Sequence, residues 1–162
     1  LGSISERRIH FMMKGIEKKT SPFLALKPGL ESGYMIAHVT AASLASENKT
    51  LSHPASVDNI TTSAGQEDFV SMAPWAGQKL LKIQDNIFNI IAIELLVSGA
   101  ANYISSSANK SGKGSKIIIE LLNSICSYEK GDRTLTKEIE LITKLVRKGK
   151  FYDIVNKKIN LE

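Results

Sequence analysis

One cysteine, one tryptophan, four prolines and three histidines in 162 residues leave few of the side chains that usually announce a special site. The single thiol, Cys126, excludes an internal disulfide framework and a cysteine-based zinc site. It lies in "IIIELLNSICSY", an apolar stretch with helical spacing, and reads as a buried structural thiol. His10, His38 and His53 fall in different elements, without the i, i+4 spacing of a helical metal pair. They read as core or surface histidines, and no metal is expected. No alternation of apolar and polar residues marks a strand, and no internal repeat recurs. The serine-rich stretches contain no nucleophile elbow, and the Gly-Lys pairs of "KSGKGSK" miss the phosphate-loop spacing. The opening "LGSISERRIH" has no apolar run before a cleavage site, so the expected location is cytoplasmic.

What is present is globular in character: 43% apolar and 23% charged residues, a length that suits one domain. The net charge of +5 raises the question of nucleic acid. Between Lys130 and Glu162, nine Lys or Arg stand against five Asp or Glu. Lys137, Lys144, Arg147, Lys148 and Lys150 recur at helical intervals without interleaved aromatics, the pattern of a solvated face, so no nucleic-acid partner is expected.

The chain reads as helices joined by polar breaks. A first helix is expected over Ser3 to Lys14, with Ser3 and Glu6 as a capping box and Gly15 as its stop. A second is expected from Ser32 to Asn48. Its small residues (Ala37, Ala41, Ala42, Ser43, Ala45 and Ser46) suit close helix packing and predict a helix enclosed by others; His53-Pro54 ends any continuation. A third is expected from Gln66 or Asp68 to Ser105, about 55–60 Å long, bent at Pro74. Its second half, "NIFNIIAIELLVSGAANYI", is apolar almost all round. Asn89, Glu94 and Asn102 interrupt it, so a helix buried on all sides is expected rather than a membrane span. One domain of this size cannot supply that many neighbours, which points to other chains. After the linker "SSSANKSGKGSK" a fourth helix is expected over Ser115 to Tyr128, striped by Ile117, Ile118, Leu121, Leu122 and Ile125. A fifth follows with Thr134 or Thr136 as N-cap and Gly149 as stop. A last one covers Lys150 to Lys158.

The remaining chemistry sits in "SHPASVDNITTSAGQEDFVSM", a polar loop between two helical segments that ends in Gln66-Glu67-Asp68. Acidic residues in a helix's first turn are favoured by about 0.3–1 kcal/mol, and that alone accounts for a carboxylate pair here. A site is the competing reading.

Four strings weigh on this choice. In order, "LGSISERR", "ESGYMIAHVTAASLASEN", "SHPASVDNITTSAGQEDFVSMA" and "GQKL" resemble the C-terminal third of the histidine ammonia-lyases, in the aromatic amino acid ammonia-lyase family. The likeness is dense from Leu1 to Leu96 and thinner beyond. It implies an all-α, aspartase-like fold built on a long-helix bundle within a homotetramer whose active sites draw on three subunits. On that basis residues 1–162 form a single domain, with a helical core over 1–106 and peripheral helices over 113–162. The implied chemistry is elimination of ammonia from an amino acid, histidine giving urocanate, by a methylidene-imidazolone electrophile formed from an internal Ala-Ser-Gly. No Ala-Ser-Gly occurs in the chain, so that cofactor and the catalytic tyrosine loop would come from an N-terminal part.

The resemblance also assigns roles. Glu67 occupies the position that faces the substrate side chain in the histidine enzymes, where phenylalanine-specific relatives have glutamine. A carboxylate accepts a hydrogen bond from an imidazole N–H and favours a cationic ring. Glu67 is therefore the expected substrate-binding and catalytic residue, with a further role in proton transfer. Gln66 is the second expected substrate-binding residue, orienting the site or the cofactor region, and Asp68 starts the helix. Phe69 stands where the histidine enzymes carry histidine, which leaves another aromatic amino acid open as substrate. Two functions are in view: the C-terminal part of a lyase, active once assembled with its N-terminal part, or a lyase-derived helical module serving assembly or regulation.

Overall fold

The computed structural model describes residues 1–15, 20–57, 60–105 and 111–159. Residues 16–19 and 58–59, part of the expected linker at 106–110, and the last residues, 160–162, lie outside them. The described residues fold into six α-helices: α1 Gly2–Met13, α2 Met35–Leu51, α3 Ala73–Ser105, α4 Lys113–Ile125, α5 Thr136–Arg147 and α6 Lys150–Ile159. Among the described residues the only β pairings are two isolated bridges, Pro28 with Glu31 and Thr62 with Glu67. The fold is all-α.

α3 is the axis. Its 33 residues make a rod of about 50 Å, against which α1, α2 and α5 pack. Ile90, Ile93, Leu96, Val97 and Ala100 recur at helical spacing and form the buried face with Ile9 and Met13 of α1 and Ile142 of α5. Ala37, Ala41 and Ala45, each four residues apart, complete it from α2. Their methyl groups let the helix axes approach closely.

Neither α2 nor α3 is enclosed within this chain. α2 turns Ile36 and Val39 outward. α3 has no fully buried residue before Asn86, and its first turns expose Trp75, Leu80 and Leu81. The second half of α3, expected to be buried on all sides, has no exposed residue from Asn86 to Asn102: nine are buried, and the rest, Ile87, Ile91 and Leu95 among them, are half-buried. By length and composition α3 could cross a bilayer, with mean hydropathy 1.6 over its most apolar 18 residues, of which 44% are buried. A core helix meets the same criterion.

Several helix starts differ from expectation, each for a local reason. The Ser3–Glu6 capping box is not formed: α1 starts from Leu1 without a side-chain cap. Glu6 instead receives His38 Nε2 at 3.1 Å, joining α1 to α2. α2 begins at Met35, not Ser32, because the preceding turn holds Gly33 at φ +57°, where a Cβ would collide with the Phe23 carbonyl oxygen. α3 begins at Ala73, not at Gln66 or Asp68. Pro74 sits in its first turn, where a missing N–H costs nothing and the fixed φ suits the helix. It starts α3 rather than bending it. Neither Thr134 nor Thr136 caps α5 through its side chain, and the N-cap position falls on Leu135. The stop at Gly149 holds, with φ +66°.

The segment between α4 and α5 is tied back to the start of α2. Asp132 accepts hydrogen bonds from the N–H groups of Ser32 and Gly33, both at 2.8 Å. Arg133 meets Glu138 at 2.7 Å and the Tyr34 hydroxyl at 3.4 Å. Tyr128 lies against Gly99 of α3, where even a methyl group would strike its ring. Burial pushes the thiol of Cys126 and the phenols of Tyr34 and Tyr128 above their usual ranges. Cys126 is the buried thiol that its helical context implies.

Candidate functional site

The loop from Ser52 to Met72 joins α2 to α3, with residues 58 and 59 outside the described set. Two contacts anchor its ends. The Lys79 ammonium donates to the His53 carbonyl, and the Met72 N–H donates to Ser56 Oγ at 3.3 Å. Between them the backbone closes a small hairpin. Thr62 N–H donates to the Glu67 carbonyl at 3.1 Å, and Glu67 N–H donates to the Thr62 carbonyl at 3.3 Å. Ser63, Ala64 and Gly65 make the turn, all at positive φ, 54°, 55° and 90°. Glycine adopts that region freely, whereas the two L-residues before it store strain.

This geometry separates the three members of the acidic motif. Glu67 closes the hairpin, with its carboxylate exposed and without a hydrogen bond or ion pair among the described residues. Gln66 lies in the turn, also exposed. Asp68 is not a helix-start residue, since α3 begins five residues later. Glu67 lies further still from that helix end, and a helix dipole acts only over its first turn. The dipole account of these carboxylates therefore falls. Phe69 follows with 90% of its surface exposed, an unusual setting for a phenyl ring.

Other candidate groups lie elsewhere. His10 and His38, apart in sequence, come together across α1 and α2 with ring centroids 5.5 Å apart. Desolvation, and then the positive charges of Arg7 and Lys14, lower the pKa of His10. Among the described residues no group of three His, Cys, Asp or Glu is placed to hold a metal ion. An open groove of about 690 Å³ runs between α1 and α3, lined by Ile4, Arg7, Arg8, Phe11, Met12 and Glu94 among others. None of its lining residues belongs to the loop. Sequence reasoning singled out Glu67 but missed its partner Thr62. Gly65 marked a turn between them, and nothing in the residue types set the register.

The family model for aromatic amino acid lyases matches residues 1–124. Histidine ammonia-lyase of Burkholderia cenocepacia is 44% identical over 151 residues, 93% of this chain and 30% of that protein. The chain belongs to the aromatic amino acid lyase family. The Rhodospirillum rubrum histidine ammonia-lyase is 42% identical over 96% of the chain and again 30% of its own length. The likeness thus runs well past Leu96, through most of the C-terminal helices. Among solved structures, histidine ammonia-lyase from Trypanosoma cruzi superposes with a TM-score of 0.87 at 39% identity, over 96% of this chain and 30% of that one. Tyrosine aminomutase from Streptomyces globisporus gives 0.92 at 25% identity, over 99% and 31%. This member of the family therefore spans about 30% of the length of the relatives it matches. The Ala-Ser-Gly from which a methylidene-imidazolone forms is not in it. Without that tripeptide the residues of this chain do not by themselves fit a site that makes the group.

Proposed function

We propose that the chain is the C-terminal part of a histidine ammonia-lyase, supplying the Glu67 loop to an active site completed by an N-terminal part. The observation that carries this reading is the presentation of Glu67: an exposed carboxylate without a partner among the described residues, held at the closing rung of a hairpin. The exposed Phe69 beside it supports the same reading, because a phenyl ring left in water is one that a second surface would cover. In the assembled enzyme Glu67 accepts a hydrogen bond from the imidazole N–H of histidine and favours the cationic ring. Gln66 orients the neighbouring part of the site. The electrophile that draws electrons from the amino acid comes with the N-terminal part, and the whole works as a tetramer in the cytoplasm without metal or nucleic acid. The missing Ala-Ser-Gly favours a second reading, an assembly or regulatory module without catalysis.

Two measurements test the proposal. The pure chain, incubated with histidine, should form no urocanate, followed by its near-ultraviolet absorbance; co-assembly with a segment carrying Ala-Ser-Gly should restore turnover. In that assembly Glu67→Ala should lower kcat/KM for histidine roughly tenfold to over a hundredfold, the worth of a charge-assisted hydrogen bond. Glu67→Gln should tilt preference from histidine toward phenylalanine or tyrosine. Urocanate from the chain alone, or unchanged selectivity in Glu67→Gln, overturns the assignment. Co-assembly without turnover turns it toward the regulatory module.

A further inference from the structure

We infer that Thr62 is the positioning residue for Glu67 in substrate recognition, an inference that rests on the role proposed for Glu67 above. The two residues exchange both backbone hydrogen bonds, at 3.1 and 3.3 Å, and form an antiparallel bridge. In such a pair the side chains project from the same face, with Cβ atoms about 5 Å apart. Thr62 is extended, φ −129° and ψ −175°, so its branched Cβ lies on the same face of the rung as the Cβ of Glu67.

The register is not free to slip. Gly65 N–H donates to the Thr62 carbonyl at 3.1 Å and Gln66 N–H to the Ser63 carbonyl at 3.2 Å, so the three left-handed residues are bonded into the turn. A shift by one residue would move Glu67 to the opposite face. Thr62 is therefore the residue that this backbone places beside the carboxylate.

Both side chains are exposed, and no hydrogen bond links them in the free chain, where water serves each. Covering the loop with a second surface removes that water. A carboxylate has two oxygens, and a substrate N–H occupies one. The other then needs a donor, since a dried, unpaired charged oxygen is costly. The Thr62 hydroxyl is that donor, and its branched Cβ restricts the torsion that aims it. The bond holds the carboxylate in one rotamer and charged, so that it meets the imidazole ring preorganised. Thr62 touches no reacting atom; it acts through Glu67.

The test uses the chain assembled with its N-terminal part. Thr62→Val keeps the shape and removes the hydroxyl; Thr62→Ser keeps the hydroxyl; Glu67→Gln serves as the reference. Thr62→Val should raise KM for histidine about two- to tenfold with kcat little changed, lower the histidine-to-phenylalanine selectivity in proportion, and leave the melting temperature of the assembly in place. Thr62→Ser should restore KM and selectivity. If Glu67→Gln shifts selectivity while Thr62→Val behaves as the parent, the inference is overturned and the role of Glu67 stands. A loss in Thr62→Val that Thr62→Ser does not rescue, or one confined to stability, overturns it as well. If Glu67→Gln is itself silent, the reading of Glu67 fails, and the role of Thr62 fails with it.

Discussion

The two ends of this molecule treat their apolar side chains differently. Among the described residues from 113 to 159, Leu141 and Tyr152 are the exposed large hydrophobics. Among those described from 1 to 105 there are fifteen, including Ile4 and Phe11 on α1, Ile36 and Val39 on α2, Trp75, Leu80 and Leu81 on α3, and Phe69 in the loop. The C-terminal helices carry their apolar residues in one stripe and close it against one another and α3. The N-terminal helices carry apolar residues on more than one face and close only the face they share. Clustered exposed apolar surface of this kind marks an interface. The C-terminal region closes its apolar stripe within the chain, and the N-terminal region leaves apolar side chains exposed, as the proposed assembly requires.

The largest expected effects test that contrast directly. Ile142, fully buried between α5 and α3, should cost about 2–5 kcal/mol on replacement by alanine, seen as a lower melting temperature of the isolated chain. Phe11, 69% exposed on α1, should cost less than about 0.5 kcal/mol in the same measurement when replaced by serine. In sedimentation the two variants should reverse. The parent chain should associate at micromolar concentration, Ile142→Ala should associate at least as much, and Phe11→Ser should associate less. Equal stability losses, or a parent that stays a well-folded monomer, would erase the distinction between the two regions.

A smaller effect probes the loop. Ala64 holds φ +55° on an exposed turn, a conformation that costs an L-residue roughly 1–2 kcal/mol. Ala64→Gly removes that strain at some entropic cost, so a gain of about 0.5–1 kcal/mol in thermal stability is expected. A loss would mean that the turn relaxes when no partner covers it.

The smallest effect concerns pH at the α1–α2 contact. Folding lowers the pKa of His10 below its ordinary 6.5, through desolvation and then the charges of Arg7, Lys14 and His38. The unfolded chain therefore binds the proton more readily. Stability should fall as pH drops below 6.5 toward the lower folded value, and the contribution should be intact above 6.5. His10→Asn should flatten that part of a melting-temperature profile between pH 7 and 5. An unchanged slope assigns the acid sensitivity to other groups.

What could be read from the residues alone follows the same divide. The stripes of α4 to α6 and the stop at Gly149 were legible, because a helix that buries one face writes its period into the sequence. The start of α3 was not. An acidic triplet before an apolar run looks like a helix entrance, but the hydrogen bonds of the Thr62–Glu67 rung hold that backbone in a hairpin, and Pro74 supplies the entrance instead. The capping box failed for a comparable reason: Glu6 has a partner in His38, 32 residues away, and no local pattern reveals a competitor at that distance. Glu67 was legible as a site candidate through the family resemblance. Its opposite residue was not, because register belongs to the backbone and not to composition.

The Asp132 carboxylate, bonded to the N–H groups of Ser32 and Gly33, also sets a clock for synthesis. The bond to Ser32 spans 100 residues. At roughly 5–20 residues per second, the ribosome releases Asp132 on the order of 5–20 s after Ser32. Through that interval α1 and α2 have emerged, but the turn leading into α2 lacks the acceptor that completes it. A nascent chain paused before residue 132 should therefore leave that turn open to proteases, and a side chain 100 residues downstream determines when the entry to α2 becomes resistant.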